Sequence, residues 1–177
     1  MINKMRKIYK AIYLKHLIRY GLKVGQNFQM EKGCNIDANF PWLIEIGNNV
    51  TMASWVYIAA HDGASKNLLG YSRVGRVKVG NNVFIGTKSI IMPGVTIGQN
   101  SIIGANSVVT TNVPANSVVA GVPAKIICDI KTYKEKLIKR KELQPVFDSK
   151  YTLRGGITRE KKEEMIEKLT VSSGFII

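Results

Sequence analysis

The chain has 177 residues, 45% of them hydrophobic and 21% charged, which describes a folded protein of about one domain or one and a half and excludes wholesale disorder. Two cysteines, Cys34 and Cys128, are too few for a disulfide framework and lack metal-ligand spacing, so a reducing, cytoplasmic setting is expected. Charge is the unusual quantity: 26 Lys and Arg against 12 Asp and Glu give +14. It sits at the ends, since residues 1–23 hold seven basic and no acidic side chains, 24–124 hold six against four, and 125–177 hold thirteen against eight. Basic ends suit nucleic acid, an anionic membrane surface or a phosphorylated ligand, and charge alone does not choose among them.

Residues 1–21 read as one basic amphipathic helix. Met5, Ile8, Tyr9, Ile12, Tyr13 and His16 share a side of the helical wheel opposite Arg6, Lys7 and Lys10, so His16 is a helix-face residue. Lys or Arg breaks every apolar run before it could serve a secretory signal, and no apolar stretch is long enough to cross a membrane. Packing on the neighbouring domain is preferred over contact with an anionic surface.

A six-residue repeat then organises residues 22–127. Val79, Ile85, Ile91, Ile97, Ile103 and Val109 recur every sixth residue, and Gly80, Gly86, Gly98 and Gly104 follow four of them. The same phase appears at Val24, Met30 and Ile36, and again at Ile46, Met52 and Ile58, the last three followed by Gly47, Ala53 and Ala59. Each hexad joins a short alternating apolar piece to a Gly/Asn corner, with Asn48, Asn49, Asn81, Asn82, Asn100 and Asn106 suited to left-handed backbone. Spacing by six is out of phase with a helix. Three strands and three corners per turn predict a triangular prism of parallel strands, with roughly five coils stacked to about 24 Å. Cys34 falls at the inward position held elsewhere by Val50, Val56, Ser89, Ser101 and Ser107, and Asp37 reads as a corner residue capping backbone amides in preference to a catalytic carboxylate.

The rhythm lapses over 60–76, a loop insertion carrying His61, one of only two histidines. Loops on rigid scaffolds often bear chemistry, and an imidazole accepts an alcohol proton near neutral pH better than any other side chain here. A plain polar loop residue is the competing reading. Beyond the hexads, Lys131–Leu143 and Thr158–Leu169 read as helices of a C-terminal extension, 128–177, separated by Pro145 and the Gly155–Gly156 turn.

The hexads, the run VVAGVPAK from Val118 to Lys125 and the motif IAAHDG from Ile58 to Gly63 resemble the hexapeptide-repeat acyltransferases, most of all the bacterial sugar and polysaccharide O-acetyltransferases of the maltose, galactoside and nodulation-factor type. The resemblance implies an all-β fold, a left-handed parallel β-helix with an N-terminal helix and C-terminal helices. It also implies an acetyl-CoA co-substrate without a metal, a glycan acceptor, no nucleic-acid partner and a homotrimer with sites between subunits. His61 matches the family's general base, and Asp62 could orient the loop or the imidazole. Thr87 matches the residue whose amide stabilises the oxyanion. Thr87, Ala105, Thr110, Thr111 and Lys125 match acetyl-CoA contacts, with Lys125 near the 3′-phosphate. Trp42 and Trp55 either wall the acceptor cleft or fill a corner.

Three activities stay open: sugar O-acetylation, N-acetylation of an amino sugar or another small acceptor, and a non-catalytic β-helix scaffold. A γ-type carbonic anhydrase shares the prism but needs three metal-binding histidines, and two cannot supply them.

Overall fold

A computed structural model of the chain describes residues 2–177, with side chains from Lys10 onward. The helical-wheel positions Met5, Arg6, Lys7, Ile8 and Tyr9 therefore have side chains outside the described residues. The chain divides into two compact units, Met1–Ile130 and Lys131–Ile177.

The first unit opens with α1 (Ile2–Arg19). Coil one follows as β1 (Lys23–Val24), β2 (Gln29–Met30) and β3 (Asn35–Ile36), and coil two as β4 (Ile44–Ile46), β5 (Thr51–Met52) and β6 (Tyr57–Ile58). An excursion then holds β7 (His61–Asp62), the single turn α2 (Lys66–Leu69) and β8 (Arg73–Val74). Coil three is β9 (Val77–Val79), β10 (Phe84–Ile85) and β11 (Ile90–Ile91), and coil four is β12 (Thr96–Ile97), β13 (Ile102–Ile103) and β14 (Val108–Val109). A fifth coil begins at Val113, bridged to Ile97, and continues into β15 (Ser117–Gly121), on which β16 (Ala124–Asp129) folds back antiparallel.

Stacking places β1-β4-β9-β12 in a first sheet, β2-β5-β10-β13-β15 in a second and β3-β6-β11-β14 in a third, every neighbouring pair parallel. The three-sheet parallel prism expected from the hexads is thus present. Residues in the hexad phase line its axis: Ile36, Met52, Ile58, Ile85, Ile91 and Ile103 are fully buried. Each such side chain stabilises the fold by about 1.5–3 kcal/mol over its exposed state, which explains why strands of two residues persist.

The second inward position is small because the corner turns there. Ser89 and Ser107 both donate to Gly104 O at 2.8 Å, and Ser101 donates to Pro114 O at 2.9 Å, so these buried hydroxyls are satisfied. Cys34 is half-buried with Sγ 2.9 Å from Ala53 O, and burial pushes its thiol above the ordinary value.

At the corner between the first and second sheets, Asn27, Asn49, Asn82, Asn100 and Asn116 all hold positive φ. Their amides form a continuous ladder, each Nδ2 donating to the Oδ1 of the next coil at 2.9–3.0 Å. Asn48 and Asn81, grouped with these by sequence, do not adopt left-handed backbone. Their side-chain oxygens instead accept from Gln26 N and Asn48 N at 2.7 and 2.8 Å, tying successive corners together. Gly86 and Gly98 allow close approach of the coils, since a Cβ there would lie 2.5 Å from Ala105 N and 2.3 Å from Ala115 N in the coil above.

In the second unit, α3 (Ile130–Leu143) leads to β17 (Val146–Phe147), α4 (Arg159–Lys168) follows, and β18 (Phe175–Ile176) pairs parallel with β17. The sequence located both helices to within a residue. Thr158 caps α4 by accepting from Lys161 N.

Candidate active site

The prism departs from its rhythm twice at one corner. Ile36 pairs with Ile58 and Ile58 with Ile91, so the chain leaves the third sheet after β3 and again after β6 at stacked positions. Ile46 follows Ile36 at an interval of ten in place of six, and the longer excursion runs from Ala59 to Arg76. Two dissimilar loops therefore rise side by side, held by rigid strands below.

Asp37 is the first residue of the shorter loop and is only 3% exposed. Its Oδ2 accepts from Ala60 N at 2.9 Å and His61 N at 3.1 Å, and lies 2.5 Å from His61 Nδ1; its Oδ1 accepts from Asn39 N at 3.0 Å. Burial alone would raise this carboxyl. The hydrogen bonds from His61, Ala60 and Asn39, with the charge of His61, outweigh it and hold the group below its ordinary value. An ionised carboxylate only accepts, so neutral His61 must donate from Nδ1 and carry its lone pair on Nε2. The imidazole side chain is 29% exposed, which leaves it reachable from solvent. This pair can orient a base and stabilise the imidazolium that forms when the base takes a proton.

Aromatic side chains extend the site. Phe40 packs against His61 with ring centroids 5.1 Å apart, and Trp42 meets Phe40 edge-on at 5.6 Å. Pro41 is buried and begins the short 3-10 turn Pro41–Leu43, which fixes the backbone while the Trp42 ring stays exposed. Tyr57 lies beside the pair, and burial together with the Asp37 charge pushes its hydroxyl up.

Asp62, the sequence candidate for orienting the loop or the imidazole, accepts from Ala64 N at 2.9 Å and sits opposite Arg73 in the β7–β8 ladder. It shapes the loop, and Asp37 holds the imidazole. Capping was the sequence reading of Asp37, and the carboxylate does cap two amides of the next coil. Its bond to His61 was missed. The available signal was the interval of ten between Ile36 and Ile46, which marks a second interruption and puts residue 37 directly beneath the residues after Ile58.

Thr87 and Ala105 are stacked, exposed positions at the corner between the second and third sheets. His61 leaves the far edge of the third sheet, about 15 Å away at roughly 3.3 Å per strand residue. One chain does not bring Thr87 to His61. Trp55 shares the Thr87 corner, not the His61 corner; it has φ 65° and its ring covers Gly33, where a Cβ would fall 2.3 Å from the indole. Thr110 and Thr111 are exposed beyond β14, and Thr111 and Lys125 meet across a groove of about 410 Å³ that Asn112, Pro114 and Ile126 also line.

Comparison with known proteins agrees with this architecture. Residues 76–111 match the bacterial transferase hexapeptide (six repeats) family. Protein CapG of Staphylococcus aureus is 47% identical over 103 residues, 56% of this chain and 60% of that protein. The galactoside O-acetyltransferase of Escherichia coli K12 is 40% identical over 62% of this chain and 54% of its own length. The putative acetyltransferase YvoF of Bacillus subtilis is 32% identical over 68% of each. Among solved structures, a maltose O-acetyltransferase from Clostridium difficile 630 is 40% identical with a TM-score of 0.55, covering 62% of this chain and 59% of that one. An acetyl-CoA complex of the Vibrio cholerae hexapeptide-repeat acetyltransferase VCA0836 is 26% identical with the same TM-score, over 62% and 60%.

The fold and the site at its interrupted corner define a hexapeptide-repeat protein with a histidine–carboxylate pair. The chain belongs to the bacterial hexapeptide-repeat transferase family. It spans between about half and two-thirds of the length of these three curated relatives.

Proposed function

We propose that the protein is an acetyl-CoA-dependent O-acetyltransferase acting on a hydroxyl of a sugar or glycan, built on a left-handed parallel β-helix. The observation that carries this reading is His61 held through Nδ1 by buried Asp37, with Nε2 left to meet a substrate. The galactoside and maltose O-acetyltransferases among its relatives support the sugar class, and the acetyl-CoA complex of a structural neighbour supports the donor.

His61 Nε2 takes the acceptor hydroxyl proton as the oxygen attacks the thioester carbonyl. The tetrahedral oxyanion is stabilised by the Thr87 amide, and collapse expels the CoA thiolate, which recovers the proton from the imidazolium. No acetyl-enzyme forms. Because Thr87 and His61 stand at different corners, the site is completed by a neighbouring copy. A cyclic homotrimer, in which the Thr87 corner of one prism meets the His61 corner of the next, closes such a head-to-tail contact. The donor then lies along Thr87 and Ala105 and ends near Thr110, Thr111 and Lys125.

The experiment is thiol release from acetyl-CoA with a panel of hexopyranosides and amino sugars, followed by mass analysis of the product. Acetyl ester formation that depends on His61 supports the reading. Amide products alone would make it an N-acetyltransferase, and no transfer to any acceptor would leave a binding scaffold.

A further inference from the structure

Helix α1 has two faces of different chemistry. Toward the prism, Leu17 is fully buried and Tyr13 and Leu14 pack on the core. The Tyr13 hydroxyl donates to Ile36 O at 2.9 Å and accepts from Ile36 N at 3.0 Å. This anchors the helix beside the strand that delivers Asp37. Away from the prism, Ile12, Lys15 and Arg19 form a stripe at intervals of three and four, with Ile18 beside it. Ile12 is 63% exposed and Ile18 47%, Lys15 and Arg19 are exposed, and Tyr20 follows at 55%.

Isoleucines interleaved with cations on the outer face of a helix that already has an inner partner match the requirements of an interfacial helix. Residues 1–23 contain seven basic side chains and no acidic one, so the field at this end has a single sign. A second α1 brings like charge against like charge and is a poor cover. Among the described residues no helix is long and apolar enough to cross a membrane.

We propose that the outer face of α1 docks on an anionic lipid surface, with Ile12 and Ile18 entering the headgroup boundary and Lys15 and Arg19 meeting phosphates. Gly21, just past the helix, packs so closely on Trp42 that a Cβ there would lie 2.8 Å from the Trp42 Cβ. Docking therefore brings the loop of Asp37, Phe40 and Trp42 close to the lipid. In the proposed trimer, cyclic symmetry points three copies of α1 the same way, and their joint engagement raises avidity above that of one helix.

Flotation of the purified full chain with vesicles tests this. Binding is expected to vesicles of equal parts phosphatidylcholine and phosphatidylglycerol, to be absent with phosphatidylcholine alone, and to weaken with salt. Lys15→Glu with Arg19→Glu lowers partitioning at least about tenfold, and Ile12→Ser with Ile18→Ser lowers it several-fold. Both doubles keep the parent melting temperature, since all four side chains face away from the core. No binding to the anionic vesicles overturns the proposal. So does binding that ignores the isoleucine pair and is competed away by duplex DNA, which would mark a general polyanion surface. Self-association abolished by Ile12→Ser with Ile18→Ser, without vesicle binding, would instead assign the face to a second copy.

Discussion

The corner between the first and second sheets and the corner that carries His61 belong to the same coils yet obey opposite rules. At the first, Asn27, Asn49, Asn82, Asn100 and Asn116 stand directly above one another and pass hydrogen bonds up the stack. An in-register parallel stack sets each residue on the equivalent position of the next coil, which favours self-complementary side chains: an amide donates and accepts, and an aliphatic packs on an aliphatic. Stacked carboxylates or imidazolium rings would repel. Stacked strands can pair a part-exposed acid with an exposed base, as Glu45 and Lys78 do at 3.6 Å. The buried Asp37 carboxylate, however, meets an imidazole where the period breaks, and two coils break it at the same corner with loops of unequal length. The ladder fixes where the strands stand, and the interruption makes unlike residues neighbours.

The largest expected effect falls on the interrupted corner. His61→Ala lowers turnover on the right acceptor by about 10²- to 10⁴-fold while acetyl-CoA affinity largely holds; near-normal turnover would remove the chemistry from this corner altogether.

Asp37→Asn keeps the shape and loses the charge, and should lower turnover by about 10²-fold. It also reports on pH. The folded Asp37 carboxyl lies below its ordinary 3.8, so its stabilising effect is complete above that value and disappears as pH falls through the lower folded one. In acid titrations followed by circular dichroism, the parent should lose stability across this window. Asp37→Asn should lack that component, and identical acid limbs would refute the linkage.

Asn82 tests the other corner. Asn82→Gly keeps the positive φ and removes two ladder bonds, costing about 1–2 kcal/mol, and Asn82→Ala adds about 1 kcal/mol for the left-handed backbone. Urea melts should rank parent, glycine and alanine in that order with turnover per folded molecule unchanged. An activity loss matching that of Asp37→Asn would mean the two corners are not independent.

The smallest effect is at Lys125, where the proposed donor site ends. Lys125→Ala should weaken acetyl-CoA binding by up to roughly fivefold and leave 3′-dephospho-acetyl-CoA unaffected, since an exposed ion pair contributes only about 0.2–1 kcal/mol. Calorimetry with both ligands separates this from a structural role, in which both weaken equally.

The division between the corners also explains what the sequence could reveal. Hexad phase is a local signal, repeated often enough that Ile85, Ile91, Ile97 and Ile103 could be placed inward and the three sheets foreseen. Residues equivalent in the repeat were equivalent in space. The Asp37–His61 contact joins residues that are not equivalent, and it depends on two insertions sharing one corner, which shows only when the interval from Ile36 to Ile46 is read beside the longer gap after Ile58. Asn48 and Asn49 differ for a related reason. Both are asparagine, but only the second occupies the left-handed position of the turn, and composition does not distinguish neighbours. The pairing of β17 with β18 was invisible because two residues at each end of a long segment carry no period.

The hairpin formed by β15 and β16 has a consequence at the scale of many molecules. Identical coils stacked 4.8 Å apart with amide ladders share the geometry of amyloid protofilaments, whose ends recruit further strands without limit. Here β16 runs against the direction of the second sheet and occupies its last edge, so an incoming parallel strand finds no template there. At the opposite end Tyr13 of α1 takes both backbone hydrogen-bonding groups of Ile36, in the first strand of the third sheet. The protein thus carries a fibril's internal order in a particle of fixed length.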